Sequence, residues 1–152
     1  MEIRPYQPSD LPAIRNLFKH TILKTNAMDY SPQQLAAWIG PDNDQVTAAW
    51  QQSLTAHTTL VAVQDDVIVG FADMAATGYL DRLYVHADFQ GQGIATALTA
   101  AMMAQVLSKR YTTAASITAR PFFERQGYQV VRRQQVVRAG IKLTNYFMAK
   151  TV

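Results

Sequence analysis

"HADFQGQGIATAL", residues His86 to Leu98, sets two glycines two positions apart between an apolar, strand-like run and an apolar, helix-like run. A strand that enters a glycine-rich turn and leaves it as a helix presents several unpaired backbone N–H groups at the positive end of the helix dipole. Such a turn is an anion site. Gly91 and Gly93 carry no side chain, so a phosphate can approach the backbone closely; the alternative is that they only allow a tight turn. Two well-known phosphate loops can be tested on the letters. The P-loop fails, because no Lys-Ser or Lys-Thr follows the second glycine at the required spacing. The dinucleotide fingerprint G-x-G-x-x-G starts at Gly91 but meets Thr96 where its third glycine belongs. About 20 residues further on, "TTAAS" (112–116) holds no acidic residue for a ribose.

Outward from the turn, Ile94, Leu98, Met102 and Val106 recur every four residues and predict a long amphipathic helix to about Lys109. Upstream, "TTLVAVQ" (58–64), "VIVGFADMA" (67–75) and "YLDRLYV" (79–85) are β-branched and aromatic. Separated by Asp65-Asp66 and Thr77-Gly78, they read as consecutive antiparallel strands, which conflicts with the parallel βαβ unit of a dinucleotide fold. Nearer the N-terminus, "EIRP" is a short strand, and "SDLPAIRNLFKHTI" is a helix with Ser9 or Asp10 as cap and Pro12 in its first turn. "SPQQLAAWI" offers Ser31 as N-cap, Pro32 at the first helical position and Gln34 closing a capping box. Val46 to Leu54 predicts a third helix with Trp50 turned inward. Downstream, "TTAAS" is a strand, "ARPFFERQG" a short helix stopped by Gly127, and "YQVVRRQQVVR" with "IKLTNYFMA" a hairpin turning at Ala139-Gly140. The order βααα-βββ-α-β-α-ββ predicts an α/β (α+β) fold: a mixed sheet with helices on both faces, in a single domain over 1–152.

Composition sets bounds. With 49% hydrophobic and 16% charged residues the chain reads as globular, and no run approaches the roughly 18 apolar residues of a membrane helix. Its first residues are polar and carry no export signal, so a cytoplasmic location is expected. Zero cysteines exclude disulfides, thiolate metal sites and cysteine nucleophiles together. The net charge of +3 favours anionic ligands without implying nucleic acid, and Arg132, Arg133, Arg138 and Lys142 read as a solvated strand face. No helix reads as a nucleic-acid recognition helix. His20, His57 and His86 lack metal-ligand spacing, so no metal is expected, and His86 reads as a surface-loop residue. The absence of G-x-S-x-G removes a serine hydrolase from consideration.

Gln90-Gly91-Gln92-Gly93-Ile94-Ala95 matches Q/R-x-x-G-x-G/A, the pyrophosphate loop of the GNAT superfamily of N-acetyltransferases, and "LYVHADFQGQGIATAL" (83–98) resembles that family's core segment. "VIVGFADM" resembles its third strand, "ARPFFERQGY" its short fourth helix, and "KLTNYFMAK" the tails of small bacterial members. The resemblance implies a mostly antiparallel sheet of six to seven strands, splayed at its centre, with acetyl-CoA as co-substrate. The splay would fall between 79–85 and 112–116. Backbone groups of Leu83, Tyr84 and Val85 would pair with the pantetheine arm, and N–H groups of Gln90, Gly91, Gln92, Gly93, Ile94, Ala95 and Thr96 would surround the pyrophosphate. Ser116 sits where many relatives carry an Asn touching the cofactor, or else is a turn or cap residue. Of Phe122 and Phe123, one would flank the sulfur end and the other serve the core. Arg125 meets a 3′-phosphate or simply faces solvent.

An amine attacks a thioester only when neutral, and an alkylammonium has a pKa near about 10.4, so a proton must be removed. Asp81 is the candidate base: mid-strand, on the face of Tyr79 and Leu83, where burial would raise a carboxylate. The alternative is that it ties the strand to Arg82 or to loop amides. Phe123 stands where many relatives place a proton-donating Tyr, so the acid is either Tyr146 or solvent. Tyr84, Tyr111 and Tyr128 read as packing residues. The acceptor pocket is expected between the first two helices and the last hairpin, lined by Tyr30, Trp38, Asp73 and Tyr146, with Thr25 to Ser31 as a lid. The chain is thus expected to acetylate a primary amine of a small molecule or peptide by direct attack in a ternary complex, as a monomer or homodimer without nucleic-acid or membrane partners. The alternative is a non-catalytic acyl-CoA-binding sensor of the same fold.

Overall fold

The computed structural model describes residues 1–152. Seven strands form one sheet: β1 (Glu2–Pro5), β2 (Thr58–Gln64), β3 (Val67–Met74), β4 (Tyr79–Val85), β5 (Arg110–Ser116), β6 (Gln129–Arg138) and β7 (Ile141–Thr151), in the order β1-β2-β3-β4-β5-β7-β6. Five helices accompany it: α1 (Leu11–Thr25), α2 (Pro32–Ile39), α3 (Asp44–Ala56), α4 (Ile94–Gln105) and α5 (Arg120–Arg125). Every neighbouring pair is antiparallel except β4 and β5. That parallel pair holds only two rungs, Tyr79 with Thr112 and Leu80 with Thr113, and then opens. No helix is long and apolar enough to cross a membrane.

Local chemistry accounts for most boundaries. Ser31 Oγ accepts the Gln34 N–H at 3.1 Å while Gln34 Oε1 accepts the Ser31 N–H at 2.9 Å, the expected capping box. The first helix departs from expectation, because neither Ser9 nor Asp10 caps it with a side chain; Pro8–Asp10 form a single 3-10 turn that leads straight into α1. Asp10 instead accepts the Gln7 N–H at 2.8 Å and both Arg4 guanidinium nitrogens at 2.9 Å, tying β1 to the start of α1. The third helix begins at Asp44, with Asn43 accepting the Val46 N–H at 2.9 Å. The fourth stops at Gln105, short of Lys109, because Val106 is extended and its carbonyl accepts the Tyr111 hydroxyl at 2.7 Å.

The sheet is covered on both faces. Leu60, Ala62, Ala72 and Leu80 meet Leu98 and Met102 of α4, with Phe123 of α5, in one core. Val61 and Phe71 face the other way, onto Ile14, Phe18 and Ile22 of α1, Leu35 of α2 and Leu54 of α3. Strand alternation alone produces this division. Gly70 sets how closely α4 lies: a Cβ there would stand 3.1 Å from both Ile94 Cγ2 and Leu98 Cδ1 and 3.2 Å from the Tyr84 carbonyl oxygen.

Two predictions follow from these contacts. Gly70→Val overpacks the seat of α4 and lowers stability by about 1–3 kcal/mol in denaturant unfolding. The hydrogen bonds from Arg4 hold the Asp10 carboxyl below its ordinary range. A depressed folded-state pKa contributes stability above the unfolded value that is lost as pH falls through the folded one. The stability gap between the wild type and Asp10→Asn therefore closes in acid, below about pH 4.

Candidate active site

Where β4 and β5 part, a cleft of about 460 Å³ passes through the sheet, within the ordinary range for small-molecule sites. On one face it is lined by Thr21 and Thr25 of α1 and Trp38 of α2, and on the other by Ile94, Ala95 and Thr96 of α4 with Phe122 of α5. Its walls are the separated strand edges, Asp81 to Val85 and Thr113 to Ser116.

The glycine turn closes one end. Gly91 (φ 74°) and Gly93 (φ 81°) are both left-handed, and a Cβ built at either meets nothing within 4 Å. The turn thus needs glycine conformationally, and the space above it is clear. The first helical hydrogen bond runs from the Ala97 N–H to the Gly93 carbonyl at 3.0 Å, and no side chain caps the helix. The N–H groups of Ile94, Ala95 and Thr96 therefore face outward without intrahelical partners. Gln90 Nε2 and Thr21 Oγ1 donate to the Val85 carbonyl at 2.7 and 3.1 Å, fixing the turn to the end of β4 and to α1. Of the residues expected along the cofactor path, Leu83, Tyr84, Val85, Gln90, Gly91, Gly93, Ile94, Ala95, Thr96, Ser116, Phe122 and Phe123 line the cleft, as does Arg125; Gln92 does not. Ser116 Oγ accepts the Ala119 N–H at 3.0 Å, a hydrogen bond of the turn that leads from β5 to α5. Phe123 is buried against Phe122 and Tyr128, whereas Phe122 is partly exposed.

The other end carries charge, differently arranged from the sequence expectation. Asp73 pairs with Arg82 and Met74 with Leu80, so Asp81 is the extra residue of a β-bulge. The bulge breaks strand alternation: Leu83 packs toward α4, while the Asp81 carboxylate lies 3.6 Å from Arg82 NH1 and 4.0 Å from His57 Nδ1. Asp81 lines the cleft, but its side chain is 35% exposed, so the burial expected for it is not found.

The buried carboxylate is Asp73, at 0% exposure and outside the cleft lining. Its Oδ2 accepts from His57 Nδ1 and Arg82 NH1, each at 2.7 Å, and its Oδ1 has no partner. Burial pushes this carboxyl up, while Arg82 and His57 pull it back. Arg82 also donates to Ser53 Oγ at 3.2 Å and stacks 4.4 Å over Trp50. Asp73 thus serves as the internal anchor of Arg82, not as a pocket liner. His57 escaped the sequence reading because its partners lie on other strands and share no spacing motif with it.

The remaining expectations divide. Trp38 lines the cleft, and its Nε1 donates to the Tyr84 hydroxyl at 3.2 Å. Tyr84 is the one tyrosine in the lining, and burial raises its hydroxyl pKa. Tyr30 is a buried post: its hydroxyl donates to the Thr144 carbonyl at 2.6 Å and accepts the Ile117 N–H at 3.0 Å. With Asp29, which accepts from Thr118 Oγ1 at 2.8 Å, it ties the expected lid to the turn after β5. Tyr146 lies outside the cleft lining, under the Arg120 guanidinium at 4.5 Å, so it is not placed to donate a proton.

A family profile described as an acetyltransferase (GNAT) domain matches residues 26–150. An uncharacterized N-acetyltransferase of Escherichia coli, YafP, is 34% identical over 148 residues, covering 97% of this chain and 94% of that protein. The crystal structure of a GCN5-related N-acetyltransferase from Rhodopseudomonas palustris superposes with a TM-score of 0.92 at 32% identity, over 99% of this chain and 95% of that one. The PaiA N-acetyltransferase of Thermoplasma acidophilum, solved with coenzyme A, shares the fold at a TM-score of 0.75 and 18% identity, over 99% and 98% of the two chains.

The two carboxylates separate in a stability experiment. Asp73→Ala leaves Arg82 buried without its main partner and lowers unfolding stability by about 3–5 kcal/mol, whereas Asp81→Asn, half-open to solvent, stays within about 0.5 kcal/mol of the wild type.

Proposed function

The chain belongs to the GNAT acetyltransferase family, and we propose that it moves an acetyl group from acetyl-CoA to a primary amine of a small molecule or peptide, with both substrates bound at once. The observation that carries this reading is a cleft open on both faces of the sheet, with unpaired helix N–H groups at one end and a carboxylate at the other. Acetyl-CoA supplies an acetyl group activated as a thioester.

The residues present fit such a ligand. The N–H groups of Ile94, Ala95 and Thr96, beneath the clear space over Gly91 and Gly93, suit a pyrophosphate. The edge of β4 from Asp81 to Val85, unpaired toward β5, suits an extended amide-bearing arm as an added strand. Phe122, the more exposed of the two phenylalanines, offers an apolar wall. On the α1 and α2 side, Trp38 supplies an aromatic surface for the acceptor, and Asp81 attracts its ammonium form and takes its proton. Exposure of Asp81 lets that proton pass on to water. The one tyrosine in the cleft lining, Tyr84, accepts from Trp38 Nε1 and keeps its own hydroxyl proton, but departure of the thiolate does not require a proton donor. A thiol of ordinary acidity, near about 8.5, leaves without one.

Two variants test this reading. Asparagine tolerates the left-handed conformation that Gly93 adopts, so Gly93→Asn and Gly93→Asp differ in charge at equal size. Calorimetry with acetyl-CoA is expected to show the Asp variant weaker than the Asn variant by at least about tenfold; equal affinities would remove the phosphate from this turn. Once an acceptor has been found by thiol release, Asp81→Asn is expected to lower turnover by about 100-fold with acetyl-CoA affinity unchanged. Unchanged turnover would leave Asp81 a structural residue of the bulge.

A further inference from the structure

Two clusters of three metal-capable side chains occur: His57 with Asp73 and Asp81, and His20 with His86 and Asp88. Only the second lacks a resident cation. In the first, Arg82 NH1 already sits 2.7 Å from Asp73 Oδ2, the atom that also accepts from His57. In the second, no lysine or arginine lies within ion-pair distance of the Asp88 carboxylate, whose nearest charged-type neighbour is His86 Nδ1 at 4.0 Å.

We propose that His20, His86 and Asp88 bind one divalent transition-metal ion of the zinc type, clamping α1 to the turn that leads into the glycine loop. His20 lies on α1, and His86 begins the 3-10 turn Ala87–Phe89, which also carries Asp88. The two imidazole rings are 5.0 Å apart and tilted by 31°, and one donor atom from each of the three residues lies within 4.8 Å of the others. His86 Nδ1 accepts the Asp88 N–H at 3.1 Å, which sets the orientation of the ring at the head of the 3-10 turn. Both histidines are half-buried, which limits their rotation, whereas the Asp88 side chain is 79% exposed, which leaves the ion a way in.

Two imidazole nitrogens and one carboxylate oxygen select zinc, nickel, copper or cobalt over magnesium and calcium, which prefer oxygen alone. Donors around a tetrahedral zinc stand about 3.3 Å apart. The three groups need to close by up to about 1.5 Å, most freely by movement of the exposed Asp88 side chain, and water completes the shell. None of the three lines the cleft, so the site is separate from the proposed reaction. It adjoins that reaction's phosphate loop, however, because Gln90 follows Asp88 by two residues and is bonded to the end of β4.

The test is calorimetric titration of untagged, chelator-treated protein with Zn²⁺, repeated with Co²⁺ by visible absorption. The expected result is one saturable equivalent, a raised Tm, and cobalt bands of mixed nitrogen and oxygen coordination. His20→Gln and His86→Gln each weaken binding by at least about tenfold, Asp88→Asn weakens it several-fold, and His57→Gln leaves it unchanged. No saturable binding, binding that survives the His20 and His86 variants, or binding lost with His57→Gln each overturns the proposal. Tm without metal reports whether the histidine variants are folded. If they are not, the exposed Asp88→Asn variant decides, full affinity there counting against the site.

Discussion

The site depends on the failure of one pair of strands to stay paired. β4 and β5 are parallel, joined by the crossover through α4, and they share two rungs before separating. Each strand is held away from the other by its outer neighbour: β4 stays in register with β3 as far as Val85, and β5 with β7 as far as Ser116. The separated edges carry backbone donors and acceptors that would be costly to leave dry and unpaired. A gap of this kind is therefore stable when it is wet or filled by something that hydrogen-bonds like a strand. The open edges thus suit an extended chain with amide groups, of the kind proposed above, before any side chain is considered.

Alpha-helix placement converts that gap into a directed cleft. α4 reaches the sheet at Gly70, where no side chain intervenes, so its first turn and the glycine loop lie at the mouth of the opening. α1 meets the same point from the other face, through the hydrogen bond from Thr21 to the Val85 carbonyl. One carbonyl at the end of β4 is thereby shared by Thr21 of α1 and Gln90 of the loop.

Legibility in the sequence followed the range of the interaction. The Ser31 and Gln34 capping box, the positions of the turns at Asp65-Asp66 and Ala139-Gly140 and the glycine loop are decided within a few residues, and all could be read from the letters. The end of α4 could not, because it is set by the hydroxyl of Tyr111 reaching back to Val106. The bulge at Asp81 was equally hidden: alternation predicts one face for Tyr79, Asp81 and Leu83, and only pairing with β3 reveals the extra residue. The bulge exchanged the roles of two aspartates. Asp81, expected to be buried, opens to the cleft, while Asp73, expected to line the acceptor pocket, is sealed beneath Arg82.

That exchange has an energetic logic. A carboxylate at 0% exposure is tolerable because Arg82 and His57 both donate to it, and Arg82 in turn is stacked on Trp50 and bonded to Ser53. A buried ion pair of this type contributes little net stability compared with well-packed apolar residues, since desolvation offsets most of the attraction. What it contributes is position. Arg82 follows Asp81 in the chain, so anchoring the guanidinium through Asp73 and Ser53 holds the bulged backbone and, with it, the direction of the exposed carboxylate. The protein accommodates a buried ion pair beside the bulge and carries one acidic side chain at the edge of the cleft.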